Sequence, residues 1–304
     1  MTQGTSHRWR DSYVVYLVPG LVLFAAIIVV PFGANIVISL TDWDGVGSFI
    51  SAQWVGLKNY GDLFEDTTFW ASFRHNVALI VAMAIIPTMI GLVLAYSLFD
   101  VVGKRFGGRT ASVLRACFYL PQVLPIAVAG IVWSWILRPG DGAANSVLDT
   151  VGLGSWRQDW LGDADFALYS VMVIMVWAQI GFPLVVFMGG LQRVDPSLYE
   201  AAEIDAASWG RRLWHIAIPQ IRPEIYVVLL WTTIASLKAF AWIYVLTRGG
   251  PGDATQVPAY YAYHHFFVTT RVGYGAAIAT VLTGVIVLIT VGFLRVQHAG
   301  EEVS

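Results

Sequence analysis

What constrains this chain most is a set of long segments that carry no charged side chain. A helix needs about 20 mostly apolar residues to cross roughly 30 Å of hydrocarbon at 1.5 Å per residue. Five runs reach that length without interruption: Tyr13–Thr41, Asn76–Phe99, Ala116–Leu137, Phe166–Gln192 and Val272–Leu294. A sixth, Ile225–Thr247, is interrupted once, by Lys238. The expected fold is an all-α membrane protein with six transmembrane helices. The first run is too long for a signal-peptide core and has no small-residue cleavage site behind it, so it is expected to stay as an anchor.

Composition removes the alternatives. Only 12% of the 304 residues are charged, 57% are hydrophobic and the mean hydropathy is +0.65, whereas soluble domains carry about 25% charged residues. A net charge of −2 provides no basic face for nucleic acid. The single cysteine, Cys117, excludes a disulfide framework and a cysteine-only zinc site. No repeat, low-complexity segment or domain boundary interrupts the pattern, so residues 1–304 read as one transmembrane domain.

Basic residues set the orientation. With the N-terminus inside, the inner segments hold Arg8, Arg10, Lys104, Arg105, Arg109, Arg115, Arg193, Arg211, Arg212, Arg222 and Arg295, eleven in all, against six in the outer loops. Both termini are therefore expected on the cytoplasmic side. The outer loops are rich in Asp, Trp, Gly and Pro, as folded ectoloops are.

Little inside the spans offers chemistry, although intramembrane charges are functional candidates by default. Lys238 is the one charge; it either snorkels to the interface along its four-carbon stem or lines a translocation path. Gln179, Gln122 and Asn76 are the uncharged polar residues at depth, each suited to a helix–helix hydrogen bond as much as to a solute. Aromatic rings at Trp177, Phe182 and Tyr244 add stacking surfaces of the kind sugars use. No metal-binding histidine pair of the His-Glu-x-x-His kind occurs, and His264 and His265 are adjacent, so their side chains point apart. None of the 20 acidic residues falls inside a span, which argues against a carrier driven by protons or ions. An intramembrane enzyme would need paired polar residues at depth, and these are missing. Gly103–Thr110 matches the spacing of a phosphate-binding loop with Arg109 in place of lysine. That mechanism needs a strand before the loop and a helix after it, and this segment only joins two spans. Any nucleotide energy must come from another chain.

The segment from Arg193 to Arg222 is the informative one. Asp195-Pro196 supplies an N-cap and a proline at the first helical position. Leu198–Ala207 is a good helix former whose alanines Ala201, Ala202 and Ala206 leave a smooth knob. Ser208 can cap a second short helix through Arg211, Arg212 and Trp214, and Pro219 and Pro223 restart the chain toward the fifth span. Two short helices, one with a small-residue surface, suit a groove on a partner. An amphipathic helix lying on the bilayer is disfavoured, because Glu200, Glu203 and Asp205 suit an anionic leaflet poorly.

These residues resemble the E-A-A-x3-G-x9-I-x-L-P signature of permease subunits in binding-protein-dependent ABC importers. Glu200, Ala201 and Ala202 take its first three positions, Ile216 the isoleucine and Pro219 the last proline. Ala206 stands where the family has glycine and Ile218 where it has leucine. The first departure bears on how tight the turn between the two helices is, since alanine disfavours a positive φ. The resemblance narrows to sugar permeases through Thr41–Gly45, Trp54–Tyr60, Phe69-Trp70, Tyr119-Leu120-Pro121, Trp133-Ser134-Trp135 and Gly190-Leu191-Gln192. It extends to Leu246–Pro251, the last outer loop, which normally has glycine where Arg248 stands.

The resemblance implies a type I importer permease of the MetI-like fold, with residues 193–222 as a cytoplasmic coupling-helix loop. Glu200, Ala201, Ala202, Asp205, Ala206, Ile216 and Pro219 would dock on an ATPase. Gln122, Trp177, Gln179, Phe182, Lys238 and Tyr244 are candidates for the solute path, and Thr247, Gly249, Gly250 and Pro251 for contact with a binding protein. The implied partners are a second permease subunit, two ATP-binding subunits that hold ATP and Mg2+, and an extracytoplasmic solute-binding protein. The chain itself would hold no cofactor, would not be an enzyme, and would lie in a bacterial or archaeal plasma membrane. Its solute would be a disaccharide or oligosaccharide, with a glycerol-phosphate diester, polyol or glycoside as the alternative. A passive channel is disfavoured by the signature loop.

Overall fold

Helices account for almost all regular structure among the described residues of the computed structural model, 14–301. Tyr13, and Arg8 and Arg10 of the orientation argument, lie outside them. Among the described residues, the one pairing of extended backbone is an isolated bridge between Thr41 and Trp54. In chain order the helices are α1 (Tyr16–Ser39), α2 (Lys58–Glu65), α3 (Thr67–Phe106), α4 (Gly108–Val123), α5 (Ile126–Ile136), α6 (Ala143–Thr150) and α7 (Ala167–Leu191). They continue as α8 (Pro196–Ile204), α9 (Trp209–Arg212, prolonged through Leu213–Ala217 and Ile218–Gln220), α10 (Arg222–Leu237), α11 (Ala241–Leu246), α12 (Pro258–Phe267) and α13 (Val272–Glu301).

Among the described residues, four helices are long and apolar enough to cross a membrane: α1, α3, α7 and residues Val272–Arg295 of α13. A fifth span is counted if α4 and α5 together form one, bent by 94°. The expected straight span over Ala116–Leu137 is thus broken. Leu124 takes an extended conformation (φ −67°, ψ 132°) ahead of Pro125, as steric conflict with a following proline ring dictates. The sixth run is divided too. Lys238 ends α10 with φ −94° and ψ 14°, its N–H turned to Ile234 and Ser236 carbonyls, and α11 restarts at Ala241. Neither α10, at 16 residues, nor α11, at 6, is long enough alone.

Prolines shape the spans that do continue. Widened π turns at Ala25–Val29, Val81–Ile85 and Leu213–Ala217 each precede a proline by two residues: Pro31, Pro87 and Pro219. Proline lacks an N–H and its ring presses on the carbonyl four residues back; the wider turn relieves both without ending the helix. A fourth π turn, Leu98–Val102, has no such proline and carries Asp100 instead.

The chain divides into two compact units, residues through Glu65 with Ala262–Thr280, and Asp66–Tyr261 with the chain from Val281 onward. In the first, Asn59 is the fastener. Its Nδ2 donates to the carbonyls of Ser39 and Thr41, both at 2.8 Å, and Asn35 Nδ2 donates to Thr280 Oγ1 at 2.9 Å. These bonds give a physical role to the asparagine of the Trp54–Tyr60 motif. In the second unit α3 packs on α7, closely enough at Gly91 that a Cβ there would stand 2.7 Å from Pro183 Cβ. Small residues at helix crossings are how membrane helices gain close packing. Tyr96, Leu184, Phe187, Leu191, Tyr199, Leu213 and Ile221 then form a buried cluster between the last turns of α3 and α7 and the 193–222 loop.

Candidate functional site at the 193–222 loop

Asp195 and Pro196 start α8 as the sequence predicts. Asp195 Oδ1 accepts the Ser197 N–H at 2.9 Å, and this hydrogen bond holds the Asp195 carboxyl below its ordinary value. The helix then presents two faces. Tyr199 and Ala202, three residues apart and so on one stripe, are buried. Ser197, Glu200, Ala201 and Ile204 point away from the cluster, with Ile204 86% exposed. The expected knob is therefore composed differently. Ala202 packs inward, and the outward surface gains Ile204, a large residue that a small-residue pattern does not include.

The turn after α8 is tight even though it lacks glycine. Ala206 adopts φ 53°. Ala207 N–H reaches the Ala202 carbonyl at 2.9 Å and Ala206 N–H the Glu203 carbonyl at 3.1 Å, the two bonds of a Schellman cap. An L-residue pays about 1–2 kcal/mol for that conformation, and here the paired carbonyls offset it. Asp205 and Ala206 remain exposed at the tip. Ser208 stands at the start of α9, but its side chain makes no capping bond. Instead of ending after Trp214, the second helix is helical through Gln220. Ile216 and Pro219 are half-buried, and Ile216 packs on the apolar cluster, so they brace α9 and do not join the exposed face of α8.

Four charges lock this loop to α3. Arg212 Nη2 lies 2.9 Å from Asp100 Oδ2, and Arg212 Nη1 lies 3.0 Å from Glu203 Oε1. Lys104 Nζ lies 3.1 Å from Asp100 Oδ1 and 2.6 Å from Glu203 Oε1. Each cation touches both anions. The Asp100 side chain is only 3% exposed and that of Arg212 13%, while Lys104 and Glu203 are about half exposed, at 53% and 52%. The hydrogen bond and charge of Lys104 hold the Glu203 carboxyl below its usual range, and burial raises the Tyr199 hydroxyl beside it. Read from the sequence, Lys104 and Arg212 are paired with no acid, and Asp100 is not singled out. The spacing of Asp100 and Lys104, one helical turn apart, was the available signal. Lys104 also belongs to the phosphate-loop lookalike, where the structure has helix, turn and helix across residues 103–123 and no strand. A second ion pair, Arg193 with Glu224, joins the start of the loop to α10.

The candidate path residues are spread over several helices. Trp177 and Gln179 lie on α7, Gln179 buried, and Trp177 meets Trp133 edge-on at 5.4 Å. Phe182 faces Trp231 at 6.4 Å. Gln122 is exposed beside the α4–α5 bend and Lys238 is exposed at the α10 break. Tyr244 stacks on Phe240 at 5.3 Å, and Phe240 on Tyr260 at 6.0 Å. Asn76 donates through Nδ2 to the Leu237 carbonyl at 3.4 Å, bonding one of the carbonyls that the α10 break frees. His264 and His265 hold their rings at 88° to each other.

Thr247, Gly249, Gly250 and Pro251 belong to a turn knit by neutral groups. Thr255 Oγ1 donates to the Gly250 carbonyl at 2.8 Å and lies 2.7 Å from Thr247 Oγ1. Gly249 has φ 82°, and a Cβ there would stand 2.3 Å from Gln256 Oε1. Arg248 takes φ 52°, in the left-handed region that favours glycine. Beside this turn a cavity of 770 Å3 opens between Trp70, Arg74, His75 and Asp253.

Comparison with known proteins bears on the family and the fold. Residues 88–300 match the family described as the inner membrane component of binding-protein-dependent transport systems. A probable ABC transporter permease protein of Pyrococcus horikoshii is 34% identical, covering 95% of this chain and 96% of its own. The diacetylchitobiose uptake system permease protein of Streptomyces coelicolor is 31% identical over 96% of this chain and 84% of its own. The trehalose/maltose transport system permease protein of Thermococcus litoralis is 31% identical over 95% of both. A solved bacterial ABC transporter that imports the acidic polysaccharide alginate shares the fold, with TM-score 0.80 at 20% identity over 94% of this chain and 96% of that one. With an all-helical fold, several apolar helices and a family match over most of its length, the chain belongs to the inner membrane components of binding-protein-dependent transport systems, the permeases of ABC importers.

Proposed function

We propose that this chain forms half of the path by which an ATP-driven importer moves a disaccharide or oligosaccharide across the plasma membrane. The observation that carries the reading is the exposed face of α8, Glu200, Ala201 and Ile204, on a loop locked to α3 by four charges. A projecting helix on a rigid base suits a cleft in an ATP-binding partner. In this reading residues 1–304 are one permease domain with six spans. The α4–α5 pair is the third and α10–α11 the fifth. Both termini and the 193–222 loop lie on the cytoplasmic side, consistent with the excess of inner arginines.

Partner subunits bind and hydrolyse ATP with Mg2+, and a second permease subunit completes the path. The turn at Thr247–Pro251, with the cavity between Trp70, Arg74 and Asp253, faces a solute-binding protein on the other side. Gln122, Gln179 and Lys238 supply polar contacts, and Trp177, Phe182 and Tyr244 supply ring surfaces, for a solute rich in hydroxyls. The solute class follows the diacetylchitobiose and trehalose/maltose relatives.

The test is to purify the chain with the products of neighbouring genes. ATP hydrolysis is then measured against a panel of binding protein loaded with different sugars. Stimulation by one sugar is the expected result. Copurification with no stimulation by any sugar would remove the carbohydrate assignment, and no copurification would remove the importer reading. Glu200→Lys should abolish uptake while the complex still reaches the membrane.

A further inference from the structure

Asp100 is a buried carboxylate at the end of a long apolar helix, and burial of a charge is costly unless something requires it. Two features mark the site. Among the described residues, Asp100 sits in the one π turn that no following proline accounts for, and such widened turns recur at functional positions. Around it Tyr96, Tyr199 and Trp209 form a box of rings, Tyr96 lying 5.1 Å from Trp209 and 6.4 Å from Tyr199. The hydroxyls of Tyr96 and Tyr199, the indole N–H of Trp209 and Arg212 Nε are all buried without a hydrogen-bond partner. Native interiors leave few such groups, so this corner has not been arranged for stability alone.

We propose that Asp100 and Arg212 are positioning residues of transport. They fix α8 and α9 in one register on the last turns of α3, so that a push on α8 moves α3 and is not absorbed by the loop. The apolar cluster beneath cannot do this by itself, because hydrophobic contact is non-directional and permits sliding. The two-pronged contact of Arg212 with Asp100, at 2.9 and 3.5 Å, admits one arrangement only. A buried ion pair adds little net stability over an apolar pair, but it can specify register. The pair joins residues 112 positions apart, and Lys104 and Glu203 close the ring at its wet edge. This inference rests on the docking of α8 to an ATP-binding subunit.

The experiment uses the reconstituted complex with its ATPases and binding protein. It compares wild type with Asp100→Asn, Asp100→Glu, the neutral pair Asp100→Asn/Arg212→Gln, and Glu200→Lys. The ATPases should copurify with all three Asp100 variants. Stimulation of hydrolysis by sugar-loaded binding protein, and uptake, should fall about tenfold in Asp100→Asn and stay low in the neutral pair, a loss of coupling in the usual range. Asp100→Glu should recover part of both. Full uptake in the neutral pair would overturn the proposal, since it would show that the charges only compensate each other. Normal uptake in Asp100→Asn would overturn it as well, as would loss of the ATPases from the neutral pair, which would make the pair part of the scaffold. Full uptake in Glu200→Lys would instead remove the docking reading, and this inference with it. The two failures are thus told apart.

Discussion

Helix α3 fastens a loop at each of its ends, one with paired ions and the other with single hydrogen bonds. At Asp100 and Lys104 it grips the 193–222 loop with four charges, two of them nearly buried. Near its start, His75 Nδ1 lies 2.9 Å from the Gln256 carbonyl and Asp66 accepts the Tyr261 hydroxyl at 2.6 Å. The Thr247–Gln256 turn there is held by hydroxyls and peptide groups. Single hydrogen bonds, including the one that the Asp66 carboxylate accepts, tolerate small shifts, whereas a buried pair of ions loses much when either partner moves. A rigid joint at one end and a more forgiving one at the other is what a lever needs if it is driven from the first end. Both loops also carry a left-handed residue that is not glycine, Ala206 at φ 53° and Arg248 at φ 52°.

The contrast can be broken in order of expected effect. Arg212→Ala leaves Asp100 buried without its main partner and should cost about 3–5 kcal/mol, read by thermal unfolding of the purified chain in detergent. Thr255→Val removes the hydroxyl that bonds Thr247 and Gly250 and should cost about 1–3 kcal/mol by the same measurement. A larger loss from Thr255→Val than from Arg212→Ala would reverse the comparison. Ala206→Gly and Arg248→Gly relieve left-handed strain at the two ends and should each stabilise by about 1 kcal/mol; destabilisation at either would show that the side chain contributes more than its backbone costs.

The smallest effect is a pH dependence at the Lys104–Glu203 edge. Lys104 depresses the Glu203 carboxyl below its ordinary 4.5. The stability it contributes is therefore complete above pH 4.5 and is lost as pH falls through the lower folded value. Hydrogen exchange in α8 should rise over that window in wild type and rise less in Glu203→Gln, where only the Asp195 cap, also depressed by its bond to Ser197 N–H, still titrates. High salt should have the same direction of effect, because Lys104 and Glu203 are half exposed and screened.

Some of this was legible in residues read singly or in short windows. Asp195 and Pro196 announce the start of α8, and charge-free runs announce α1, α3, α7 and α13. The α4–α5 bend has a local signal in Pro125, which charge-free length alone does not register. The break at Lys238 was half visible, as an interruption whose structural meaning was a helix end and not an isolated charge on a continuous span. The inward turn of Ala202 could not be seen, because a smooth small residue suits a docking face and a helix–core contact equally well.

The sequence by itself determined the solvent this chain folds in, the approximate spans, the caps and turns, and the family, because each follows from hydropathy, local sterics or a motif of fixed spacing. Tertiary structure alone decided which charges meet. Asp100 and Arg212 are 112 residues apart, and an ion pair across such a distance is specified by how α3, α7, α8 and α9 pack, not by any pattern along the chain. It likewise decided that Ala206 and Arg248 accept a glycine conformation. The cost at each is set against hydrogen bonds that form only once the surrounding helices are in place.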